Sequence, residues 1–201
     1  MLTGMSVTVA PRRTQAERSA TTRRRLLDAT VACLVELGYG GTTTSAVAER
    51  AGVSRGAQLH HYGTRQQLMG AAVEHLAAQR LEAVQAAAAR LPQDGTRPRR
   101  ALDLLADALS GPLYAATLEL YTAARVDEEL RLALVPVEQE VTRALRRLCR
   151  DFVTDDPSLL QLTLDLLLGR GVGSLLSPVR ASRQRQALDA WARLLATRAD
   201  G

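Results

Sequence analysis

Apolar residues recur at three- and four-residue steps along nearly the whole chain from about Arg18 onward, as they do on one face of an α-helix. In the first stretch, the apolar face consists of Leu27, Thr30, Val31, Leu34 and Leu37. Ala and Leu supply most of the apolar residues, and both favour helices. We find no convincing strand pattern and no internal repeat. The sequence therefore predicts an all-α fold with about nine helices.

Glycine, proline and short polar segments divide this pattern into separate helices. Gly38 is expected to stop the first helix, and Thr64 followed by Gln67 fits a capping box. Pro136 falls early in its helix, where it should kink the helix or mark a break. The predicted helices cover about residues 18–37, 44–51, 54–61, 64–90, 99–109, 113–125, 128–152, 158–176 and 183–198.

The excess positive charge lies in the first third of the chain. All 26 basic residues are Arg, and the formal net charge is +5. Residues 1–70 hold nine Arg against four acids, whereas residues 71–201 hold 17 of each. A basic segment attached to a neutral body favours an anionic partner for that segment, and it excludes a uniformly basic protein.

Several classes of protein are excluded by what the sequence lacks. Cys33 and Cys149 lie in apolar-periodic stretches with no second metal ligand near either one, which indicates buried free thiols rather than a disulfide or a zinc site. No apolar run approaches the roughly 18 residues needed to span a bilayer, and residues 1–11 lack the pattern of a signal peptide. We therefore expect a cytoplasmic protein with no membrane partner.

An enzyme is also disfavoured. The chain has no Ser/His/Asp order, no phosphate loop and no His or Cys set at metal-ligand spacing. Its adjacent histidines, His60 and His61, point about 100° apart on a helix and do not easily share one ion. Contact with a phosphate or a base is the favoured interpretation of this pair, and plain exposure is the alternative. We expect no catalytic residues, no metal and no cofactor.

Residues 42–62, TTTSAVAERAGVSRGAQLHHY, have the spacing of a helix-turn-helix. Ala48 stands where two helices cross closely, and Gly52, four residues later, suits the positive φ of a tight turn. Val47 and Val53 are expected to fill the small core beside it. The second helix is then free to enter a major groove with its N-terminal residues at the base edges. Because the motif lies inside the basic third of the chain, it predicts DNA binding.

This region resembles the TetR family of bacterial one-component transcriptional regulators. The resemblance covers about residues 20–70 and is carried by Gly38-Tyr39 at the end of the first helix, Thr43-Thr44 at the start of the second, residues 48–56 (AERAGVSRG), His61-Tyr62 at the end of the third, and Thr64, Arg65 and Leu68. The family usually has Leu-Tyr where this chain has Gln58-Leu59, Phe in place of Tyr62 and Lys in place of Arg65. Base contacts are therefore not carried over from any relative.

Eleven residues of this region are candidates for contact with a double-stranded DNA operator. They are Thr43, Thr44, Ser45, Ser54, Arg55, Gly56, Ala57, Gln58, His60, His61 and Arg65. The family pattern puts Thr44 and Ser45 near phosphates, in agreement with the preference of a helix N-terminus for anions. Arg65, at the start of the fourth helix, is a predicted phosphate contact.

Two interpretations stay open for several basic and polar residues. Arg55 either pairs with guanine O6 and N7, or it is a phosphate clamp or a solvated side chain. Gln58 either reaches adenine or points sideways without a contact. Arg12, Arg13 and Arg18 form either an arm in an adjacent groove or part of a solvated tail.

The resemblance implies that the remaining helices pair two subunits and enclose a small ligand. The last two long helices would form the dimer interface, with the candidates Leu164, Leu168, Leu175, Trp191 and Leu195. The candidate ligand-pocket residues recur on one earlier helix and are Tyr114, Leu118, Glu119, Tyr121 and Arg125. Glu119 and Arg125 are the polar anchors of this set, and plain core packing is the alternative for any single member.

Together these expectations divide the chain into three parts. Residues 1–16 form a flexible basic arm, residues 17–70 a three-helix DNA-binding domain, and residues 71–201 a larger helical domain for effector binding and dimerisation. The expected function is a ligand-responsive repressor that binds a palindromic operator as a homodimer and is released by a small apolar molecule. The alternative is a DNA-binding regulator without a small-molecule ligand, acting as an activator or controlled by a protein partner.

Overall fold

The fold is built from helices alone within the residues that the structure describes, 14–175 and 181–199. The structure is a computed structural model of the chain. The helices found there are α1 Gln15–Gly41, α2 Thr44–Ala51, α3 Arg55–His61, α4 Arg65–Ala88, α5 Arg97–Ala108, α6 Gly111–Ala123, α7 Glu128–Phe152, α8 Pro157–Gly173 and α9 Ala181–Ala199. The prediction of an all-α fold with about nine helices is confirmed. Within the described part of the chain, no helix combines the length and apolarity that crossing a membrane requires.

α1 begins earlier than predicted because Thr14 caps it. The Thr14 hydroxyl accepts the N–H of Glu17 at 3.2 Å, and the Glu17 carboxylate accepts the N–H of Thr14 at 2.7 Å. This reciprocal capping box satisfies two donors that a helix N-terminus otherwise leaves without partners. Arg18 therefore lies on α1 rather than on an arm. Arg12 and Arg13, the other predicted arm residues, lie outside the described residues.

α1 is interrupted at Gly38, where the sequence predicts its end. Gly38 has φ 67° and ψ 179°, a conformation that glycine adopts without the strain felt by other residues. A last short turn follows, and the N–H of Thr42 closes it by donating to the carbonyl of Gly38 at 3.1 Å. The interruption leaves the N–H of Tyr39 available to a partner outside the helix.

Two predicted details of the longer helices need correction. Thr64 caps α4 by accepting the N–H of Gln67 at 3.1 Å, but the Gln67 side chain accepts the N–H of Gly63 instead of completing the capping box. α7 continues through Pro136, so of the two predicted outcomes, a kink or a break, the break is absent. Pro136 and Leu132, one turn earlier, are both exposed, and water can solvate the backbone that the missing proline N–H leaves unpaired.

Three clusters of buried side chains hold the helices together. The N-terminal core joins α1, α2 and α4 through Leu26, Ala29, Cys33, Val47, Ala51 and Leu68. The middle core joins α1, α4, α6 and α7 through Leu34, Met69, Val73, Ala116, Leu120, Ala124, Leu130, Leu134 and Val137. The body core lies among α4 to α9 and includes Leu102, Leu105, Leu148, Leu160, Leu164 and Leu167. Because α4 contributes to all three cores, it connects the first three helices to the rest of the chain.

The two cysteines are free and buried, as the sequence predicts. Cys33 belongs to the N-terminal core and Cys149 to the body core. Burial raises the pKa of both thiols, and for Cys149 the pKa rises to about 11. Since the thiolate is the reactive form of cysteine, both side chains are packing groups rather than reactive sites.

Candidate nucleic-acid interface

The turn between α2 and α3 is fixed by local sequence chemistry. Thr43 caps α2 by accepting the N–H of Ala46 at 3.1 Å, and Ser54 caps α3 by accepting the N–H of Ala57 at 3.1 Å. Between them, Gly52 adopts the left-handed conformation with φ 61° and ψ 42°. The predicted helix-turn-helix is therefore formed, with glycine at the position where the chain must reverse.

The crossing of α2 and α3 is packed on the N-terminal core. Val47 and Ala48 are buried, and Val53 packs against the core from the turn. The N–H of Val53 donates to the carbonyl of Ala48 at 3.0 Å, which closes the turn. These small side chains keep the two helices close, as the sequence predicts.

Arg25 on α1 also supports this turn, a role that sequence reasoning missed. Its guanidinium donates to the carbonyl of Gly52 at 3.4 Å. The sequence shows Arg25 as one of three consecutive arginines, and nothing in that run distinguishes a side chain that faces the turn from two that face water. Only the packing of α1 against α2 reveals this contact.

The first turn of α3 presents polar and basic groups to solvent. Ser54, Arg55 and Gly56 are exposed there, and His60 is exposed one turn later. At the start of α2, Thr43 and Ser45 are exposed and Thr44 is half-buried. These predicted DNA-binding residues are accessible, and Ser54, Arg55 and Gly56 lie at or beside the N-terminus of α3, which favours anions. Leu59 is exposed in the same helix, to 49%.

Gln58 does not belong to this surface, and its predicted contact with adenine is wrong. The side chain is fully buried, and its Nε2 donates to the carbonyl of Tyr62 at 2.9 Å. Its Oε1 has no hydrogen-bond partner among the described residues. Gln58 and Leu59 are adjacent on α3, and adjacent helical residues point about 100° apart. Gln58 therefore faces the protein interior while Leu59 faces solvent.

Arg65 is held inside the protein rather than directed at a phosphate. Its Nε donates to the carbonyl of Thr42 at 2.8 Å, and its Nη2 donates to the carbonyl of Tyr39. The guanidinium also lies 4.0 Å from the centroid of the Tyr39 ring, within the range of a cation–π contact. Arg65 therefore fastens the start of α4 to the end of α1, and its predicted phosphate role is not supported by its contacts.

His60 and His61 have different surroundings although they are neighbours. Their rings meet edge to face with centroids 5.5 Å apart. Burial, the adjacent His60 and Arg23 together lower the pKa of His61, in that order of importance, so its imidazole is neutral at neutral pH. Among the described residues, no group of three or more His, Cys, Asp or Glu side chains is placed to hold a metal ion.

A set of carboxylates joins the DNA-binding helices to the body. Glu119 on α6 accepts the N–H of Tyr39 at 2.8 Å, the donor that the interruption at Gly38 leaves available. A Cβ at Gly38 would lie 2.8 Å from Glu119 Oε1, so glycine at this position gives the carboxylate room. Glu119 is therefore part of a joint between α1 and α6, and its role as an anchor in a ligand pocket stays a prediction.

Asp127, which precedes α7, extends this joint. Its Oδ2 accepts the Tyr39 hydroxyl at 3.3 Å and the Gln66 amide at 3.0 Å, while Oδ1 accepts the N–H of Leu130 at 2.9 Å. These donors hold the pKa of Asp127 below its usual range, with the Leu130 N–H contributing most. Glu129 accepts the hydroxyl of Thr64 at 2.6 Å. Glu119, Asp127 and Glu129, called here the carboxylate joint, thus bind four donors of the N-terminal helices.

Three of the other predicted pocket residues are packed on the cores rather than gathered around a space. Tyr114 is buried in the body core, Leu118 packs on that core, and Tyr121 packs on the middle core. Burial is the main cause that raises the pKa of Tyr121 to about 12. Arg125 is exposed. A cavity of about 400 Å³ lies elsewhere, between α5, α8 and α9.

Three of the predicted dimer residues are used within one chain. Leu164 and Leu195 are buried in the body core, with 4% and 6% of their surface exposed. Trp191 donates its indole N–H to the Thr163 hydroxyl at 3.0 Å and packs on the same core. The assignment of Leu164 and Leu195 to a dimer interface is wrong because little of their surface is left for a partner. Trp191 is half-buried, and its place in an interface stays a prediction. Leu168 and Leu175 remain exposed, to 40% and 44%.

A helix-turn-helix whose recognition helix is exposed, mounted on a larger helical body, is the architecture of a DNA-binding regulator. Residues 26–72 match the family described as bacterial regulatory proteins, tetR family. The HTH-type transcriptional regulator CymR of Pseudomonas putida is 34% identical over 161 residues, which cover 80% of this chain and 72% of CymR. The chain belongs to the TetR family. The family consists of regulators, in agreement with the prediction that the chain is not an enzyme.

Other relatives and solved structures support the same assignment. An HTH-type transcriptional regulator of Mycobacterium tuberculosis (strain ATCC 25618 / H37Rv) is 35% identical over 122 residues, 61% of this chain and 63% of that protein, which is less than two thirds of its length. The multidrug binding protein EbrR, complexed with imidazole, is 26% identical with a TM-score of 0.63, covering 84% of this chain and 93% of EbrR. A TetR family member from Streptomyces coelicolor A3 is 26% identical with a TM-score of 0.66, covering 85% and 97%.

Proposed function

We propose that this chain is a cytoplasmic, ligand-responsive repressor that binds a palindromic DNA operator as a homodimer. One observation carries the proposal: the same chain combines an exposed recognition-helix surface with an uncovered apolar face on α8 and α9. The first feature fits a major groove, and the second fits another copy of the chain. Two copies related by a two-fold axis would present two recognition helices to two half-sites.

Arg55 is the residue on α3 that best supports base reading. Its side chain is exposed at the first position of α3, and the adjacent Gly56 adds no side chain that would keep the helix away from a groove. A guanidinium at this place can donate to guanine O6 and N7 together. Ser54, Ser45 and Thr43 lie at exposed helix starts, where backbone N–H groups and hydroxyls favour phosphates.

The uncovered apolar face consists of large side chains on α8, on the residues just after it and on α9. They are Leu162, Leu168, Val172, Leu175 and Leu194, exposed to 53%, 40%, 51%, 44% and 59%. On α9, Ala187 and Ala190 share the exposed side of the helix with Leu194. Apolar surface on α8 and α9 is costly to leave in water, and a second copy of the same surface would cover it.

A small molecule with an apolar part is the proposed signal. EbrR, a relative in fold, is described in complexes with imidazole, ethidium and proflavin. The body of this chain holds a cavity of about 400 Å³, within the size range of small-molecule sites. A ligand that binds better to a dimer with mismatched recognition-helix spacing would lower the affinity for the operator.

The dimer on a palindrome is tested with an operator selected from random duplex DNA by the protein itself. We expect a footprint with two-fold symmetry and half-sites roughly 34–36 Å apart. Leu162→Glu should give a monomer in sedimentation and lose the operator. Leu132→Glu is the matched control, because Leu132 is a 62% exposed leucine on α7, away from α8 and α9. A footprint without symmetry, or a Leu162→Glu protein that still forms dimers, would contradict the proposal.

A further inference from the structure

The cavity between α5, α8 and α9 has an apolar floor. Leu109, Leu167 and Leu188 line it, with 8%, 1% and 2% of their surface exposed. These leucines also belong to the body core, so the floor is a fixed part of the fold. The cavity lies apart from the residues that the sequence suggested for a ligand, since none of Tyr114, Leu118 or Tyr121 lines it.

The walls of the cavity carry charges of both signs. Asp103 and Asp107 lie one turn apart on α5 and therefore face the same side. Arg170 on α8 and Arg185 on α9 line the cavity as well. Arg99 forms an ion pair with Asp103, since its Nη1 lies 2.5 Å from Asp103 Oδ2. Its Nε also donates to Asp189 Oδ1 on α9 at 2.5 Å. This bridge ties α5 to α9 and fixes the two walls relative to each other.

Two opposite charges on these walls form no ion pair in the described part of the chain. The Asp107 carboxylate accepts no hydrogen bond there and acts on Arg170 only through its charge, and Arg185 forms no ion pair. Asp107 and Arg185 do not pair with each other, although both border the same cavity. The space between them is therefore bounded by an acid on α5, a base on α9 and leucine side chains beneath.

We infer that this cavity binds a small zwitterion with an apolar chain, whose ammonium group lies at Asp107 and whose carboxylate lies at Arg185. A ligand seated on the leucine floor would remove water from both side chains. A ligand with one charge would then leave the other side chain desolvated and unpaired, which is costly. A zwitterion satisfies both, and Arg binds carboxylates through two parallel hydrogen bonds. The inference rests on the proposed function only in taking this ligand as the effector.

The test measures calorimetric binding of three six-carbon compounds to the full chain at neutral pH. They are 6-aminohexanoate, hexanoate and hexylamine, which share a chain and differ in their charged ends. We expect 6-aminohexanoate to bind about tenfold more tightly than either of the others, because only it pairs both side chains. Aminoalkanoates with four and eight carbons, run in parallel, identify the chain length that spans the two walls.

Two variants test which side chain binds which charged end of the ligand. Arg185→Gln should erase the preference for 6-aminohexanoate over hexylamine, and Asp107→Asn should erase its preference over hexanoate. Arg183→Gln is the matched control, because Arg183 is exposed on α9 but does not line the cavity. Ala106→Leu adds volume at the cavity wall without changing a charge, and it should abolish binding of the whole series.

The inference is overturned if the three compounds bind equally, if none of the aminoalkanoates binds, or if Asp107→Asn and Arg185→Gln leave the preference unchanged. These outcomes do not touch the proposed function. A symmetric footprint, with release of the operator by some other small molecule, would sustain the repressor while rejecting the zwitterion. A footprint without symmetry, together with the expected order of binding of the three compounds, would support the zwitterion site and reject the dimeric repressor.

Discussion

The N-terminal helices and the body of this protein use their side chains in opposite ways. In α1 to α3 a small core, completed by Leu68 of α4, supports many exposed polar groups, and the turn is held by caps and one glycine. The larger body core is mostly leucine, and residues 71–201 hold 17 Arg and 17 acids. The structure of the first region therefore depends on individual residues at fixed positions. The structure of the second depends on the total apolar surface that its many leucines bury.

The carboxylate joint connects the two regions through hydrogen bonds. Glu119, Asp127 and Glu129 belong to the body, and each accepts a donor from the N-terminal helices. Hydrogen bonds are directional, so this joint orients the helix-turn-helix more narrowly than leucine packing alone would.

Removing a large side chain from either core is expected to have the largest effect. Leu26→Ala in the N-terminal core and Leu105→Ala in the body core should each lower the free energy of unfolding by about 2–5 kcal/mol. Because the N-terminal core is smaller, Leu26→Ala should open α1 to α3 while the body stays folded, and hydrogen exchange would show this. Leu132→Ala, at an exposed site, is the control. Equal loss of protection in both regions for Leu26→Ala would argue against two separately stabilised regions.

Alanine at Gly38 tests the joint through the backbone. Gly38→Ala should cost about 1–3 kcal/mol in the free energy of unfolding, since φ 67° with ψ 179° strains any residue with a Cβ. The new methyl group would also displace Glu119, so operator affinity should fall beyond the loss of stability. Gly40→Ala, two residues later and with open space around its Cβ, should leave both unchanged. Chemical denaturation measures the first effect, and a Gly38→Ala protein as stable as Gly40→Ala would refute the strain.

Leucine at position 58 is expected to stabilise the protein. Gln58→Leu removes a fully buried amide oxygen that lacks a partner, and it should raise the free energy of unfolding by about 1 kcal/mol or more. Operator affinity should not change, because this side chain is buried and cannot touch DNA. Gln67→Leu, at an exposed site, serves as the control in the same urea titration. A destabilised Gln58→Leu protein would mean that the Tyr62 hydrogen bond outweighs the unpaired oxygen.

Acid should weaken the joint through Asp127, with the smallest effect in this series. Its pKa is lowered in the folded state, so its contribution to stability is complete above the ordinary value of 3.8 and is lost as the pH falls through the lowered value. The difference in melting temperature between the native protein and Asp127→Asn should stay constant from pH 7 to about pH 4 and shrink below that. If the difference in melting temperature grew as the pH fell, the pKa of Asp127 would be raised rather than lowered by folding.

The helix-turn-helix could be predicted from sequence because its determinants are local. Thr43, Gly52 and Ser54 act within three or four residues of their own positions, and spacing alone reveals them. The turns and the number of helices follow from the same kind of signal. For this reason the fold class and the exposed start of α3 needed no tertiary information.

The errors and the missed contacts concern side chains whose role depends on distant partners or on helix phase. Glu119 meets Tyr39 from 80 residues away, and Arg65 turns towards α1 instead of solvent. α8 carries leucines around much of its circumference, so sequence does not distinguish Leu164, which is buried, from Leu162, which is exposed. The cavity likewise forms where three separate helices meet. Such contacts become visible only when the packing is known.

We propose that the exposed start of α3 reads the operator while the other helices of residues 17–70 hold it in place. The most direct test is the ratio of operator affinity to non-operator affinity for Arg55→Ala, at one fixed salt concentration, with Arg50→Ala as the control because Arg50 already pairs with Glu36. Arg55→Ala should lower this ratio about 10- to 100-fold, and Arg50→Ala should leave it unchanged. If Arg55→Ala instead weakens binding to both DNAs equally, Arg55 is a phosphate contact and the claim is contradicted.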